Sequence, residues 1–132
     1  MGTQVKLPGT LPTPAQARGK LKDARAERRT VLGAVLGFKA EIKAIGKELM
    51  ALEGELEDAE RTMENAVEDS PEQLEAEKDQ GATWDALCAL EKKEANVKGA
   101  LAKGEARLAE CNRILREARE DIKAIRQGRR VR

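Results

Sequence analysis

The chain has 132 residues, long enough for one ordinary domain, yet its composition excludes a compact core built on aromatic side chains. It has no His or Tyr, one Phe, one Trp and one Ser, and 37% of its residues are charged, the profile of a long helix or coiled coil. The net charge of +1 conceals a strong segregation: residues 1–47 hold 10 basic and 3 acidic residues, residues 48–80 hold 2 and 13, and residues 91–132 hold 13 and 7.

The first predicted elements are an arm and a helix start. Two prolines and a glycine predict an extended N-terminal arm over residues 1–13. Thr13, Pro14 and Gln16 then form a capping box, with Thr13 as the N-cap and Pro14 at the first helical position. We therefore expect a first helix over residues 14–68.

Apolar or small side chains recur along this first helix at alternating spacings of three and four. The pattern covers about seven heptads, which is typical of the a and d positions of a coiled coil. Only Arg28 interrupts it. The thirteen residues of this seam are Leu21, Ala24, Val31, Val35, Phe38, Ile42, Ile45, Leu49, Leu52, Leu56, Ala59, Met63 and Ala66.

A second helix is predicted over residues 71–127, after an acidic turn at 69–71. Ser70, Pro71 and Gln73 repeat the capping box at its start. A basic tail at 128–132 follows the helix. The a and d residues of this second helix, with Glu94 as the exception, are Leu87, Leu90, Val97, Leu101, Gly104, Leu108, Cys111, Leu115, Ala118, Ile122 and Ile125.

The start of the second helix fits this pattern poorly. Polar residues surround Gly81, and the heptad phase slips near Trp84. A phase change of three residues overwinds a coiled coil locally, so we expect a kink or short turn near residues 79–84.

The fold class that follows is all-α: a long antiparallel coiled-coil hairpin of two helices of about 55 residues, in an oligomeric bundle or a larger assembly. The connection is short, so the helices run antiparallel and residue i lies roughly opposite residue 138 − i. This register predicts that Trp84 packs on Gly54, a large side chain against a small one.

Enzyme chemistry is nearly excluded, because a chain without His and with one Ser offers no pairing of a nucleophile with a base. We expect no catalytic residues, no cofactor, no metal cluster and no small-molecule substrate. There is no signal peptide and no apolar run long enough for a bilayer, so the predicted location is the cytoplasm or a virion. Cys88 and Cys111 lie roughly 34 Å apart along one helix, which predicts free thiols.

The acidic middle of the chain is predicted to form the tip of the hairpin. A solvated helix surface is the plain interpretation, but most of these carboxylates lack a base three or four residues away. The alternative is that the tip binds a basic partner surface or a divalent cation. The candidate contact residues are Glu64, Glu68, Asp69, Glu72 and Glu75.

The two basic ends of the chain are predicted to meet at one pole. They are expected to bind an acidic protein surface, a second copy of the chain or, alternatively, nucleic acid phosphates. Bases near a helix C-terminus also stabilise the helix dipole without any partner. The candidate residues are Arg18, Lys20, Lys22, Arg25, Arg126, Arg129, Arg130 and Arg132.

Three apolar residues fall outside the seam and predict an oligomer contact. Leu32, Leu36 and Ile114 occupy e, b and g positions, which widens the apolar stripe beyond what two helices cover.

The leading functional expectation is a non-enzymatic structural or assembly protein that acts through protein–protein contacts and is anchored at its basic pole. Small, aromatic-poor helical chains with basic tails are similar to bacteriophage scaffolding and virion components. The alternative is a regulator or inhibitor that inserts its acidic tip into a basic groove of a nucleic-acid enzyme. In hairpin and acidic turn alone, the chain resembles the Gre-type and DksA-type factors, which implies RNA polymerase as such a target.

Overall fold

The computed structural model describes residues 11–130 of the chain, and the side chains of residues 11–128. This part contains two long helices packed against each other, α1 (Pro14–Asn65) and α2 (Pro71–Arg130), and no strand. The prediction of an all-α helical hairpin is confirmed. Most of the predicted arm, residues 1–10, lies outside the described residues.

Both helices begin at the predicted N-caps, and the predicted capping box is complete at α1 but only half formed at α2. At α1 the Gln16 amide donates to Thr13 Oγ1 (3.2 Å), and the Thr13 amide donates to Gln16 Oε1 (3.0 Å). At α2 the Gln73 amide donates to Ser70 Oγ (3.2 Å), and Gln73 Oε1 accepts from the Asp69 amide (2.7 Å). Side chains therefore satisfy amides that have no partner inside the helix.

The connection between the helices takes more residues than the sequence predicts. α1 ends at Asn65 instead of residue 68, and α2 begins at Pro71. The Ser70 amide donates to the Val67 carbonyl (3.0 Å), and Asp69 has a left-handed φ of 59°. Asp tolerates this conformation better than most residues, and a helix cannot continue through it. The turn therefore removes the last three residues predicted for α1.

α2 is helical without interruption from Pro71 to Arg130. Gly81 does not end the helix, and no short turn occurs over residues 79–84. The helix also continues three residues beyond the predicted boundary at 127, so most of the expected basic tail has a helical backbone. A helix can continue through a single glycine, which costs only about 1 kcal/mol relative to alanine.

The residues form two compact units. Unit 1 comprises Met1–Val35 with Lys103–Arg132, and unit 2 comprises Leu36–Ala102. In each unit the predicted a and d residues are buried or half-buried, and none of them is exposed. Val35 and Cys111 are among the most deeply buried, each with 2% of its surface exposed. The seam is the core of both units.

The heptad phase does not slip in α2, which makes that prediction wrong. Gln73, Ala76, Gln80 and Thr83 are all buried or half-buried and carry the alternation of three and four up to Leu87. Trp84 lies one position outside the seam and is 56% exposed. Polar and small residues thus fill the seam where apolar residues were expected.

Contacts between the helices in unit 1 follow the predicted antiparallel register. Lys20 pairs with Glu117, Glu27 with Arg107 and Arg28 with Asn112, so the paired residue numbers sum to 137, 134 and 140. In unit 2 the predicted packing of Trp84 on Gly54 is wrong. No side chain lies within 4 Å of the position that a Cβ on Gly54 would occupy.

Candidate functional site

A basic groove lies between the two helices where basic side chains from both helices come together. It has a volume of about 920 Å³ and lies within unit 1. Six of its ten lining residues are cationic and one is acidic, so its charge is strongly positive. The lining residues are Arg25, Arg28, Arg29, Leu32, Asn112, Leu115, Arg116, Arg119, Glu120 and Lys123.

Helical periodicity places these residues on one side of the seam. In α1 they recur at i, i+3, i+4 and i+7 from Arg25, and in α2 at i, i+3, i+4, i+7, i+8 and i+11 from Asn112. Apart from Glu120 they occupy a, b and e positions of the heptad. Buried Leu115 and half-buried Leu32 supply the apolar part of the lining.

The cations of the basic groove have no acidic partner in the described part of the chain. None of the six forms an ion pair with a carboxylate of residues 11–128. Arg28 Nε donates to Asn112 Oδ1 at 2.8 Å, which fixes one guanidinium across the two helices. The other five cations remain available to an anionic partner.

Unlike the cations of the basic groove, charged residues at the c, f and g positions of unit 1 form ion pairs with one another. Lys20 Nζ lies 3.2 Å from Glu117, and Arg107 lies 2.6 Å from Glu27, so both pairs bridge the helices. Arg113 donates to Glu110 (2.6 Å) and to Glu117 (2.9 Å) within α2. Charges on this edge are satisfied internally, in contrast to those of the basic groove.

The Arg113 pairs shift two titrations. Hydrogen bonds from Arg113 hold the pKa of Glu110 below its usual value, and the carboxylate of Glu110 raises the pKa of Arg113. Both side chains are solvated, so the ion pair adds little to stability.

An acidic groove of about 520 Å³ lies within unit 2. Its five charged residues are all carboxylates, and small side chains separate them. No group of three or more acidic or Cys side chains within residues 11–128 is arranged to hold a metal ion. The lining residues are Glu55, Asp58, Ala59, Thr62, Glu72, Glu75, Ala76, Asp79, Ala82 and Thr83.

The predicted acidic tip is divided between this groove and the turn. Glu72 and Glu75 line the acidic groove. Glu64 is exposed in the last turn of α1, and Glu68 and Asp69 are exposed in the connection. The structure therefore brings two of the five predicted residues into one concave surface.

The predicted basic pole overlaps the basic groove only at Arg25. Arg18, Lys20, Lys22 and Arg126 are exposed, and Lys20 is already paired with Glu117. The side chains of Arg129 and Arg130, and the whole of Arg132, lie outside the described residues.

The predicted oligomer contacts do not line one shared groove. Leu32 lines the basic groove, while half-buried Ile114 lines a separate groove with Gly19, Lys20 and Cys111. In unit 2, Leu36 is 57% exposed.

The sequence prediction missed three other exposed apolar side chains on the helices of unit 2. Met50, Leu74 and Trp84 are each more than half exposed. Once the phase is carried unbroken through α2, Met50 and Leu74 take b positions and Trp84 an e position. Leu36 is also at b, so these four residues share the b and e side of the heptad.

Comparisons with protein-family models, with curated proteins and with solved structures give no match to this chain. A search of the described helices for a segment long and apolar enough to cross a bilayer finds none.

Proposed function

We propose that this chain is a non-enzymatic assembly protein, a coiled-coil hairpin that acts through protein–protein contacts and is anchored through its basic groove. The observation that carries the proposal is the groove itself. Six cations surround an apolar floor and form no ion pair with described carboxylates, whereas the opposite edge of the same unit is paired. Burying such charges is favourable only against a partner that supplies anions.

A scaffold component of the virion or of the cytoplasm fits this proposal. The two thiols are free, exposed at Cys88 and buried at Cys111, which suits a reducing compartment. The bacteriophage assembly role remains part of the proposal, and it rests on composition and charge.

The test is capture of partners from a lysate of the native source by three immobilised forms of the chain. The first is wild type, and the second, the groove-reversed variant, carries Arg25→Glu, Arg29→Glu and Arg116→Glu, three exposed residues that line the groove. A matched control carries Lys47→Glu, Lys92→Glu and Lys103→Glu, which change the net charge equally at exposed c and f positions.

We expect the groove-reversed variant to retain at least about tenfold less partner protein than the control. Nuclease treatment should leave the captured protein unchanged. Equal capture by all three forms would contradict the proposal, and release of all bound material by nuclease would assign the groove to nucleic acid.

A second candidate function is regulation through the acidic end of unit 2. The acidic groove favours it, because all five charged residues of its lining are carboxylates, of which Asp58 pairs with Arg61 (3.5 Å). For this function Glu55→Lys, Glu75→Lys and Asp79→Lys together, all in the acidic groove, should abolish binding of a purified basic partner while the groove-reversed variant binds normally. The reverse outcome excludes the regulator and favours the assembly protein.

A further inference from the structure

We infer that the basic groove of unit 1 binds unit 2 of a second copy of this chain, on a surface formed by Glu53, Glu57, Glu60, Glu64, Leu74 and Trp84. We call this surface the acidic face. The inference rests on the proposed function and names its partner. All six side chains are exposed, all belong to unit 2, and all occupy b or e positions.

The carboxylates of the acidic face match a row of cations on the same helix. Arg18, Lys22, Arg25 and Arg29 are exposed, spaced by four, three and four residues, and occupy e, b, e and b positions. Glu53, Glu57, Glu60 and Glu64 repeat that spacing and those positions five heptads later. A single helix thus carries two rows of opposite charge with the same geometry, one in each unit.

Neither row is neutralised within the described residues. The ion pairs of the described helices involve none of these eight side chains. Like charges three and four residues apart destabilise a helix, so each row weakens the free chain. Contact between the row of one copy and the opposite row of another removes both penalties.

Exposed apolar groups adjoin the same carboxylates. Trp84 is 56% and Leu74 54% exposed, and by the antiparallel register they lie opposite the two ends of the acidic row. Leu32 and Leu115 line the basic groove, so both surfaces combine charge with apolar area. The guanidinium groups of the groove are suited to stack on an indole ring.

A second copy of the chain would cover both the basic groove and the acidic face, whereas nucleic acid would cover only the basic groove. Phosphates would neutralise the basic groove, but they would be repelled by the acidic face and would leave Trp84 exposed. Both docking surfaces lie on the same chain, so every copy offers one groove and one face. If both surfaces of one copy engage the same partner, the contact is reciprocal and forms a two-fold dimer; otherwise it passes from copy to copy in a ring or a filament.

The experiment exchanges the charges. The groove-reversed variant is defined above, and a face-reversed variant carries Glu57→Lys, Glu60→Lys and Glu64→Lys. Its matched control carries Glu41→Lys, Glu48→Lys and Asp85→Lys, at exposed g and f positions. Mass is followed by sedimentation across a concentration series against the 14.5 kDa of one chain, and helix content by far-UV circular dichroism.

Wild type and both controls should self-associate, and each reversed variant alone should have a dissociation constant raised at least about tenfold. Mixing the two reversed variants should restore association, because an acidic groove then meets a basic face. A chain carrying both reversals should also recover. This recovery separates a broken contact from a misfolded variant.

The fluorescence of Trp84, the one tryptophan of the chain, gives a second readout. Its emission should shift to shorter wavelength as wild type associates, and it should not shift in either reversed variant alone. Wild type that keeps the mass of one chain throughout, or reversed variants that stay apart when mixed, would overturn the inference. If the groove-reversed variant still loses captured protein in that case, the proposed function survives without it.

Discussion

Replacing Gly81 with Ala tests whether α2 is truly continuous through its acidic start. The sequence alone favours a kink or turn at this residue, whereas the structure has an uninterrupted helix there. Gly81 has a negative φ, and no side chain lies within 4 Å of the place a Cβ would take. An alanine methyl therefore fits without displacing anything.

The expected effect is a gain of about 1 kcal/mol in the free energy of unfolding. Glycine in a helix interior loses more backbone freedom on folding than alanine does, and nothing in the local packing offsets the gain. For a chain of this size such a gain raises the melting temperature by roughly 3–5 °C. Urea unfolding followed by far-UV circular dichroism measures the free energy, and a thermal scan measures the temperature.

The matched control is Gly99→Ala, at an exposed glycine of the same helix with equally open surroundings. Both substitutions should stabilise by similar amounts if both glycines are ordinary helical residues. A loss of stability at Gly81 alone would refute the continuous helix, because alanine destabilises a glycine position where φ is positive or the methyl group is crowded, and a helical Gly81 has neither feature. Each scan is run at several concentrations so that self-association does not enter the comparison.

Three further predictions concern single side chains. Ser70→Ala should cost about 1 kcal/mol of unfolding free energy in urea titration, because it removes the N-cap of α2. Cys88 should react with a thiol reagent in the native protein, while buried Cys111 should react at the rate of local opening. Arg113→Gln should return the pKa of Glu110 toward its usual value in an NMR titration. In wild type the stabilisation from this pair is fully present above the ordinary carboxyl pKa. It is lost as the pH falls through the lowered pKa of Glu110.

The fold could be predicted from local signals that tertiary structure does not override. Thr13 and Ser70 mark the helix starts because the hydroxyl of each accepts from the amide of the Gln three residues later. The seam is predictable because burial in a two-helix structure follows the spacing of three and four. Hydrophobicity alone does not locate the seam at Gln73, Gln80 and Thr83, because these side chains are polar and yet half-buried.

The error near Trp84 has a physical cause. The antiparallel register places Trp84 opposite Gly54, and packing a large side chain against a small one predicts its burial. The buried a and d residues from Leu87 to Ile125 fix which face of α2 packs against α1. Rotating the helix to bury one indole would move all of these residues out of the seam. Trp84 is exposed for that reason, and an exposed Trp is more informative about a partner than a buried one.

The basic groove was only partly predictable. Composition located the cations near both chain ends, but it could not tell Arg25, which lines the groove, from Lys20, which is paired with Glu117. The difference depends on the heptad position of each residue relative to the partner helix. Sorting the charges by heptad position would have separated the b and e cations from the paired residues at c, f and g.

The two edges of unit 1 differ in charge pairing: charges at the c, f and g positions form ion pairs, whereas the cations of the basic groove form none with a carboxylate of residues 11–128. A hairpin selected only for its own stability would mix signs along each helix, as the Lys20, Glu27 and Arg107 edge does. The b and e positions of α1 instead collect cations in unit 1 and carboxylates in unit 2, which costs about 0.2–0.5 kcal/mol for each like-charged neighbour. A penalty repeated along both rows is relieved when the rows face opposite charge. Under the inferred contact, folding stability and association are linked, and the associated state is the more stable form of the chain.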